Sequence, residues 1–433
     1  MKIAFATLGC KVNQYETQAL KGLFAKLNFD LVDCSNFADV YVLNSCTVTA
    51  RSDAKLRQMC FRFKRINPAA ILMLAGCFAQ ALVGKNNIDF LNNFDVVVGN
   101  FNKFDLPKFL EEFLVHRKKI IAITKQKNTN LFSNFMIEKF RHNFRAFVKI
   151  EDGCNRGCSY CVIPRARGFV KSKPLEILKF EVEKLASNDY REIVLVGINL
   201  SSYGFDFENK FNLVDAVEVV SEVKNIERVR LSSLEPDLLT EEDIIRLSKN
   251  EKFCPNFHLA LQSGSDSVLK RMGRKYGTVF YLNLVEKICE KFKNPSFTTD
   301  VMVGFPQETE KEFLQTLNFI ERIGFLRVHI FPYSKRPGTV AAMLPGQIAP
   351  HEKKLRAFKA KQIAYCVSLK FLQKQIGNVL QVLFESVQKQ GIFIGHSKNY
   401  CLVKVKSSVD LIGEIKFVKI NYLEGSFCVG KIV

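Results

Sequence analysis

Lys149-Ile150-Glu151-Asp152-Gly153-Cys154-Asn155-Arg156-Gly157-Cys158-Ser159-Tyr160-Cys161 joins an apolar run to three cysteines spaced C-x3-C-x2-C. Three thiolates this close can hold three irons of an iron–sulfur cubane and leave the fourth open to an outside ligand. Gly153 and Gly157 allow the backbone to wrap tightly around such a core. A structural zinc site would want a fourth ligand, commonly from a second C-x2-C or a histidine pair. The sequence supplies none close by. The loop therefore predicts an open cluster at the mouth of the scaffold that carries it.

Downstream, apolar runs at Phe147–Ile150, Ile193–Val196, Val229–Leu231, Phe257–Leu261, Thr298–Val303 and Arg327–Phe331 alternate with helical patterns. Those helices are expected at Pro174–Ser187, Leu213–Val223, Glu241–Ser248, Val279–Phe292 and Glu310–Ile323. Six strand–helix units of this spacing predict a partial (β/α)6 barrel, with working groups at the C-terminal ends of its strands. Upstream, Lys2–Leu8, Val40–Leu43, Ile71–Ala75 and Val96–Gly99 read as buried strands around helical Tyr15–Leu27 and Arg51–Ile66. That βαβ texture predicts a doubly wound parallel sheet. Cys10, Cys46 and Cys77 each follow one of its strands, beside Gly9, Ser45 and Gly76. Ligands bind beyond the carboxyl ends of such strands. One cysteine there is most often simply packed; three in matching positions predict a second 4Fe–4S cluster.

Residues 120–143, rich in Lys, Asn and Thr, read as a linker. His351–Gln375 is a basic helix with seven Lys/Arg against one Glu. The short runs Val379–Phe384, Ile392–Ile394, Leu402–Val405 and Glu414–Ile420 then predict a small antiparallel β-barrel. The fold class is α/β in three parts: 1–120, 140–370 and 372–433.

At 433 residues the chain is too long for one ordinary core. It has no apolar run of the roughly 18–20 residues that span a bilayer, and no long apolar signal-peptide region. A cytoplasmic protein is expected. Thirteen cysteines there argue for ligation rather than a disulfide framework. Cys34, Cys60, Cys254, Cys289, Cys366, Cys401 and Cys428 lack ligand spacing and read as packed or incidental thiols. The net charge of +20 implies a polyanionic partner, nucleic acid first. Arg51, Lys55, Arg57, Arg62, Lys64 and Arg65 gather on one predicted helix. Residues 372–433 carry eight Lys against four acidic residues, with Tyr400 and Phe393 as base-stacking candidates, although aromatics in so small a barrel are more often core.

The cysteine loop, with Tyr160 before its last cysteine, resembles the radical-SAM superfamily. That resemblance implies that the open iron chelates S-adenosylmethionine (SAM), which an electron from the cluster cleaves to a 5′-deoxyadenosyl radical. Taken with Cys10, Cys46 and Cys77, the whole chain resembles the methylthiotransferases, which carry a three-cysteine N-terminal domain, a radical-SAM barrel and a C-terminal RNA-binding barrel called TRAM. Leu8-Gly9-Cys10-Lys11-Val12-Asn13-Gln14-Tyr15-Glu16-Thr17 is similar to the branch acting on N6-threonylcarbamoyladenosine beside the tRNA anticodon (position 37). Asn44-Ser45-Cys46-Thr47-Val48-Thr49 and Ala75-Gly76-Cys77-Phe78-Ala79-Gln80 also resemble that branch.

The resemblance implies two 4Fe–4S clusters, with methylthio transfer to carbon 2 of the adenine. One SAM would methylate a sulfur on the Cys10/Cys46/Cys77 cluster, and a second would supply the radical that removes the ring hydrogen. It also implies an anticodon stem-loop as partner, an electron donor such as flavodoxin or ferredoxin, and a sulfur donor. SAM contacts are expected near Tyr160, Gly197, Asn199, Ser232, Ser233, Glu235 and Gln262, with Asp300–Pro306 under its adenine. Arg165, Arg167 and Arg336 are candidates for RNA phosphate or substrate. The alternatives are the isopentenyladenosine branch, the branch acting on a ribosomal-protein aspartate, and a non-catalytic zinc- and RNA-binding protein.

Overall fold

The computed structural model describes residues 1–82, 89–124, 132, 135–137, 144–388 and 391–433. Most of the expected linker at 120–143 lies outside them, although its first residues form a strand rather than a linker.

Six parallel strands make the N-terminal sheet: β1 (Lys2–Thr7), β2 (Asp30–Val32), β3 (Val40–Ser45), β4 (Ile71–Gly76), β5 (Val96–Val98) and β6 (Ile120–Ala122). Their order is β2-β1-β3-β4-β5-β6. Every residue of β3 and β4 is buried, because helices cover both faces; hence the unbroken apolar runs. On one face, Leu20 and Phe24 of α1 (Lys11–Lys26) and Leu110 of a later helix pack on Val40, Val42 and Met73. On the other, Leu56, Cys60 and Phe63 of α2 (Ala50–Ile66) pack on Ala4, Leu43 and Leu72. Thr49 starts α2 by accepting the Ser52 N–H. The strands β2 and β6, three residues each with none fully buried, carry no readable apolar run and are not among the strands expected from the sequence.

β7 (Arg145–Lys149) opens the central unit, and β8 (Glu151–Asp152) and β9 (Lys171–Ser172) form a small ribbon beside the cysteine loop. The wall continues through β10 (Glu192–Val196), β11 (Arg228–Leu231), β12 (Ser233–Leu234), β13 (Asn256–Leu259), β14 (Ser296–Val303) and β15 (Arg327–Pro332). Two parallel sheets, β11-β10-β7 and β12-β13-β14-β15, meet where β11 runs into β12. This is the expected six-unit partial barrel. Helices 213–222, 241–249 and 310–323 each begin with a capping box, from Asn212/Asp215, Thr240/Asp243 and Thr309/Glu312. Ala146, Val148, Ile193 and Leu195 face the helices. The period of two therefore turns Arg145, Phe147, Glu192 and Val194 into the lumen.

The chain ends in a closed barrel of β16 (Val379–Gln388), β17 (Ile392–Ser397), β18 (Leu402–Lys406), β19 (Ile415–Glu424) and β20 (Phe427–Ile432), ordered β16-β17-β18-β20-β19. It is not wholly antiparallel as expected, because β18 and β20 pair in parallel. A ring of five strands cannot alternate direction at every seam, so one parallel pair is unavoidable. β20 was also missed from the sequence. This barrel closes the N-terminal end of the central one. Arg228 Nη1 donates to His396 O at 3.0 Å and Arg230 Nη1 to Lys398 O at 2.9 Å. Arg145 pairs with Glu385 at 3.1 Å. Of the two stacking candidates, Phe393 is buried in the barrel core. Tyr400 stacks on His396, with the Arg230 guanidinium 4.8 Å from its ring centre. Phe393 thus takes the core role that aromatics in so small a barrel more often have, and Tyr400, half-buried, packs where the barrel meets the central unit.

Among the described residues no helix is long and apolar enough to cross a membrane.

Candidate active site

Three of the six cysteines of interest end strands of the N-terminal sheet. Cys10 lies between β1 and α1, Cys46 follows β3, and Cys77 follows β4 and opens the one-turn helix α3 (Cys77–Gln80). The chain reaches them through two left-handed glycines, Gly9 at φ +119° and Gly76 at φ +104°. A Cβ on Gly9 would lie 2.8 Å from Cys46 Cβ, and one on Gly76 would lie 2.6 Å from Ser45 O. No other residue fits this crowding. The three thiols are close enough to influence one another's charge, Cys10 and Cys46 each sensing Cys77. Burial raises the Cys10 thiol and pushes Cys46 up to about 11. Thiolates here thus need a cationic partner. Asn13 ties the triad's backbone together, donating to Leu8 O at 2.8 Å and Ser45 O at 3.1 Å. Asn100 Nδ2 lies 3.4 Å from Cys77 Sγ.

The second triad, Cys154, Cys158 and Cys161, fills the loop between β8 and the short helix α4 (Ile163–Arg167). Cys154 N–H donates to Gly168 O at 3.0 Å and Cys161 N–H to Cys158 O at 3.0 Å, which curls the loop. Donors point at the sulfurs: Asn199 Nδ2 at 3.8 Å from Cys154 Sγ, Arg274 Nη1 at 3.4 Å from Cys158 Sγ, and Ile163 N–H at 3.4 Å from Cys161 Sγ. Burial pushes the Cys161 thiol up to about 12. Among the described residues no three His, Cys, Asp or Glu side chains close around a single metal ion. A cubane is larger, since each thiolate takes a different iron. All-sulfur donor sets with N–H groups and guanidinium charge aimed at them fit a cluster, whose potential such hydrogen bonds tune.

The other expected SAM positions divide. Tyr160, within the loop, packs on the cluster that includes Phe305 and Tyr333, its ring edge-on to that of Phe305 at 6.4 Å. Gly197 is demanded sterically, because a Cβ there would lie 2.6 Å from Glu151 Oε2. Asn199 is buried and reaches the first thiol of the loop. Ser233 lies half-buried in β12. Buried Ser232 has a hydroxyl without a hydrogen-bond partner among the described residues. Glu235 pairs with Arg274 and, at 3.6 Å, with Arg156. Gln262 is held at φ +64° and its backbone bridges to Asp300 and Met302. Glu151 was not foreseen. It is fully buried, which holds its carboxyl well above the usual range; it accepts the Asn199 N–H at 2.8 Å, and its Oε1 has no hydrogen-bond partner among the described residues.

A buried ion network joins the triads. Arg167, at the end of α4, bonds Glu16 at 2.9 Å, Asp152 at 3.0 Å and Asn13 Oδ1 at 2.6 Å. Lys149 bridges Glu16 at 3.0 Å and Asp152 at 2.5 Å, and Lys103 pairs with Glu16. Arg167 is therefore a strut rather than a free cation for RNA. Arg336 is likewise engaged, with Asp53 and Thr47 both at 2.7 Å. Arg165 remains exposed. A cavity of about 300 Å³ lined by Thr47, Asp53, Arg57, Phe78, Val162 and Arg336 lies along this seam. Of the other cysteines, Cys60, Cys254, Cys401 and Cys428 are buried.

A Radical SAM superfamily model matches residues 148–320, and one described as Uncharacterized protein family UPF0004 matches residues 2–99. The chain is 35% identical to the threonylcarbamoyladenosine tRNA methylthiotransferase MtaB of Bacillus subtilis, over 98% of this chain and 96% of that one. It is 32% identical to the tRNA-2-methylthio-N(6)-dimethylallyladenosine synthase of Natranaerobius thermophilus, over 96% and 93%. Its fold resembles that of the radical S-adenosylmethionine methyltransferase TsrM from Kitasatospora setae, with a TM-score of 0.58 at 13% identity, covering 79% of this chain and 77% of that one. The chain belongs to the radical-SAM tRNA methylthiotransferase family, a membership that implies a 4Fe–4S cluster and SAM.

Proposed function

We propose that the protein converts N6-threonylcarbamoyladenosine beside the tRNA anticodon to its 2-methylthio derivative. The observation that carries this reading is the opposition of two cysteine triads across one buried ion network. Near full-length similarity to a relative named for that nucleoside supports the substrate. In this reading Cys154, Cys158 and Cys161 hold one 4Fe–4S cluster, and Cys10, Cys46 and Cys77 hold a second. Tyr160, Gly197, Asn199, Ser233, Glu235 and Gln262 line the SAM site. The bound cluster and SAM supply the one-electron chemistry for a ring C–H that no side chain can deprotonate at neutral pH.

The chain's own residues hold and shield. Asn199 and Arg274 donate to the sulfurs of Cys154 and Cys158. Arg167 places positive charge beside Cys10 and Cys46, and it is buried together with Glu16, Lys103 and Lys149. Exposed Arg51, Lys55, Arg57, Arg62 and Arg65 on α2 offer phosphate contacts. The units 1–120, 140–370 and 372–433 would carry the auxiliary cluster, the SAM chemistry and RNA binding. A flavodoxin- or ferredoxin-type electron donor and a sulfur donor complete the reaction, set in the cytoplasm.

The test is an anaerobic reaction of reconstituted enzyme with reductant, SAM and tRNA bearing threonylcarbamoyladenosine. Nucleoside mass analysis should show the 2-methylthio product; product from isopentenyladenosine tRNA alone would overturn the substrate. Cys158→Ala should abolish 5′-deoxyadenosine formation. Cys46→Ala should keep it while iron falls from about eight to about four per chain.

A further inference from the structure

This inference rests on the threonylcarbamoyl reading and concerns how that N6 substituent is told from an apolar one. A threonylcarbamoyl group carries a free carboxylate, whereas an isopentenyl group is hydrocarbon. Recognition of the first calls for an available cation near the reacting base.

Lys11 directly follows Cys10 and is the first residue of α1. Val12 packs against Val194, Val196 and Phe147, so the first turn of α1 enters the lumen of the central barrel. The Lys11 ammonium lies 5.9 Å from the Phe147 ring centre, and its electrostatic neighbours are Arg145, Arg230, Glu192 and Asp300. Three of these are already ion-paired. Glu192 pairs with Arg230 at 2.9 Å and with Arg228 at 2.8 Å. Arg145 pairs with Glu385, while Asp300 lies 3.4 Å from His258, an ion pair only when that imidazole is protonated. Lys11 itself makes no ion pair or hydrogen bond at contact distance among the described residues, although the Glu192 and Asp300 carboxylates favour its charge from farther off. An ammonium drawn into a cleft without a partner is costly, and an anionic ligand group relieves that cost. His258 and Asp300 keep 17% and 33% of their side-chain surface open, so a ligand can reach this part of the lumen.

We infer that the Lys11 ammonium receives the carboxylate of the substrate's threonyl group and so selects it over an isopentenyl group. The chemistry of the base agrees. Carbon 2 and carbon 6 of adenine flank N1, so the N6 substituent leaves the ring edge that also bears the carbon to be modified. A base presenting that edge to a group held at Cys10 has its N6 substituent within a lysine's length of the next residue.

The experiment measures dissociation constants of reconstituted holoenzyme for three anticodon stem-loops by fluorescence anisotropy. One carries the threonylcarbamoyl group, one the same group with its carboxylate capped as a carboxamide, and one the isopentenyl group. The unmutated enzyme should prefer carboxylate over carboxamide by about 10- to 100-fold, the range for a lost charged hydrogen bond. Lys11→Met should bind the two alike, and Lys11→Arg should restore the preference. Equal affinity of unmutated enzyme for carboxylate and carboxamide overturns the inference without any variant. A preference that survives in a folded Lys11→Met protein also overturns it, while leaving the substrate reading intact. Tighter binding of the isopentenyl stem-loop by unmutated enzyme overturns both.

Discussion

Replacing Arg167 with methionine tests whether the buried network holds the N-terminal sheet against the central barrel. The guanidinium is 1% exposed and touches Glu16, Asp152 and Asn13 at once. Methionine keeps much of the volume but removes every one of those bonds. Glu16 would retain Lys103 and Lys149, and Asp152 would retain Lys149. Truncating one member of a buried ion network costs about 3–5 kcal/mol, and the remaining lysines place this case near about 3 kcal/mol. At about 1.4 kcal/mol per tenfold, local opening at α1 should rise by about 100-fold. Hydrogen–deuterium exchange over Lys11–Lys26 reads that opening directly. Arg336→Met is the control, because the Arg336–Asp53 pair is 11% and 21% exposed; it should change opening by no more than about tenfold. Exchange at α1 within about threefold of the unmutated protein would refute the idea that Arg167 joins the two bodies.

Glu312 gives a pH dependence. Burial alone would raise its carboxyl, but Arg271, the Ser267 hydroxyl and the Thr309 N–H pull it from 4.5 to about 2. Its stabilisation is therefore full above about pH 4.5 and lost as pH falls toward about 2. Glu312→Gln should flatten that part of a plot of Tm against pH, and an unchanged slope would count against the assignment. For RNA, Arg62→Ala with Arg65→Ala should lower the slope of log K against log salt by about 1.5 to 2 for tRNA binding. An unaltered slope would remove α2 from the contact surface.

The cysteine positions were legible because parallel strands announce themselves as apolar runs and ligands collect at one end of them. Gly9 and Gly76 were visible as small neighbours, although their left-handed backbone was not. The roles of Arg167 and Arg336 were hidden, since charged residues beside a site read as solvent- or RNA-facing until their distant partners, Glu16 and Asp53, are known. Glu151 gave no signal, because its burial depends on the turn at Gly197 that approaches from 46 residues away. For Phe393 the core role was legible, because in a barrel of so few strands most aromatic surface is needed inside. β20 escaped because its pairing is with both β18 and β19 and leaves only a short apolar run between glycines.

Arg228 and Arg230 donate guanidinium hydrogen bonds to backbone oxygens of the C-terminal barrel while holding Glu192 on the other side. Trimming the chain before Val379 would thus remove the backbone acceptors of two buried guanidiniums and leave them only Glu192. Such a truncation is a poor control for RNA affinity, since it damages the catalytic body for reasons unconnected with nucleic acid. Point changes on the outer faces of the last five strands separate those two losses.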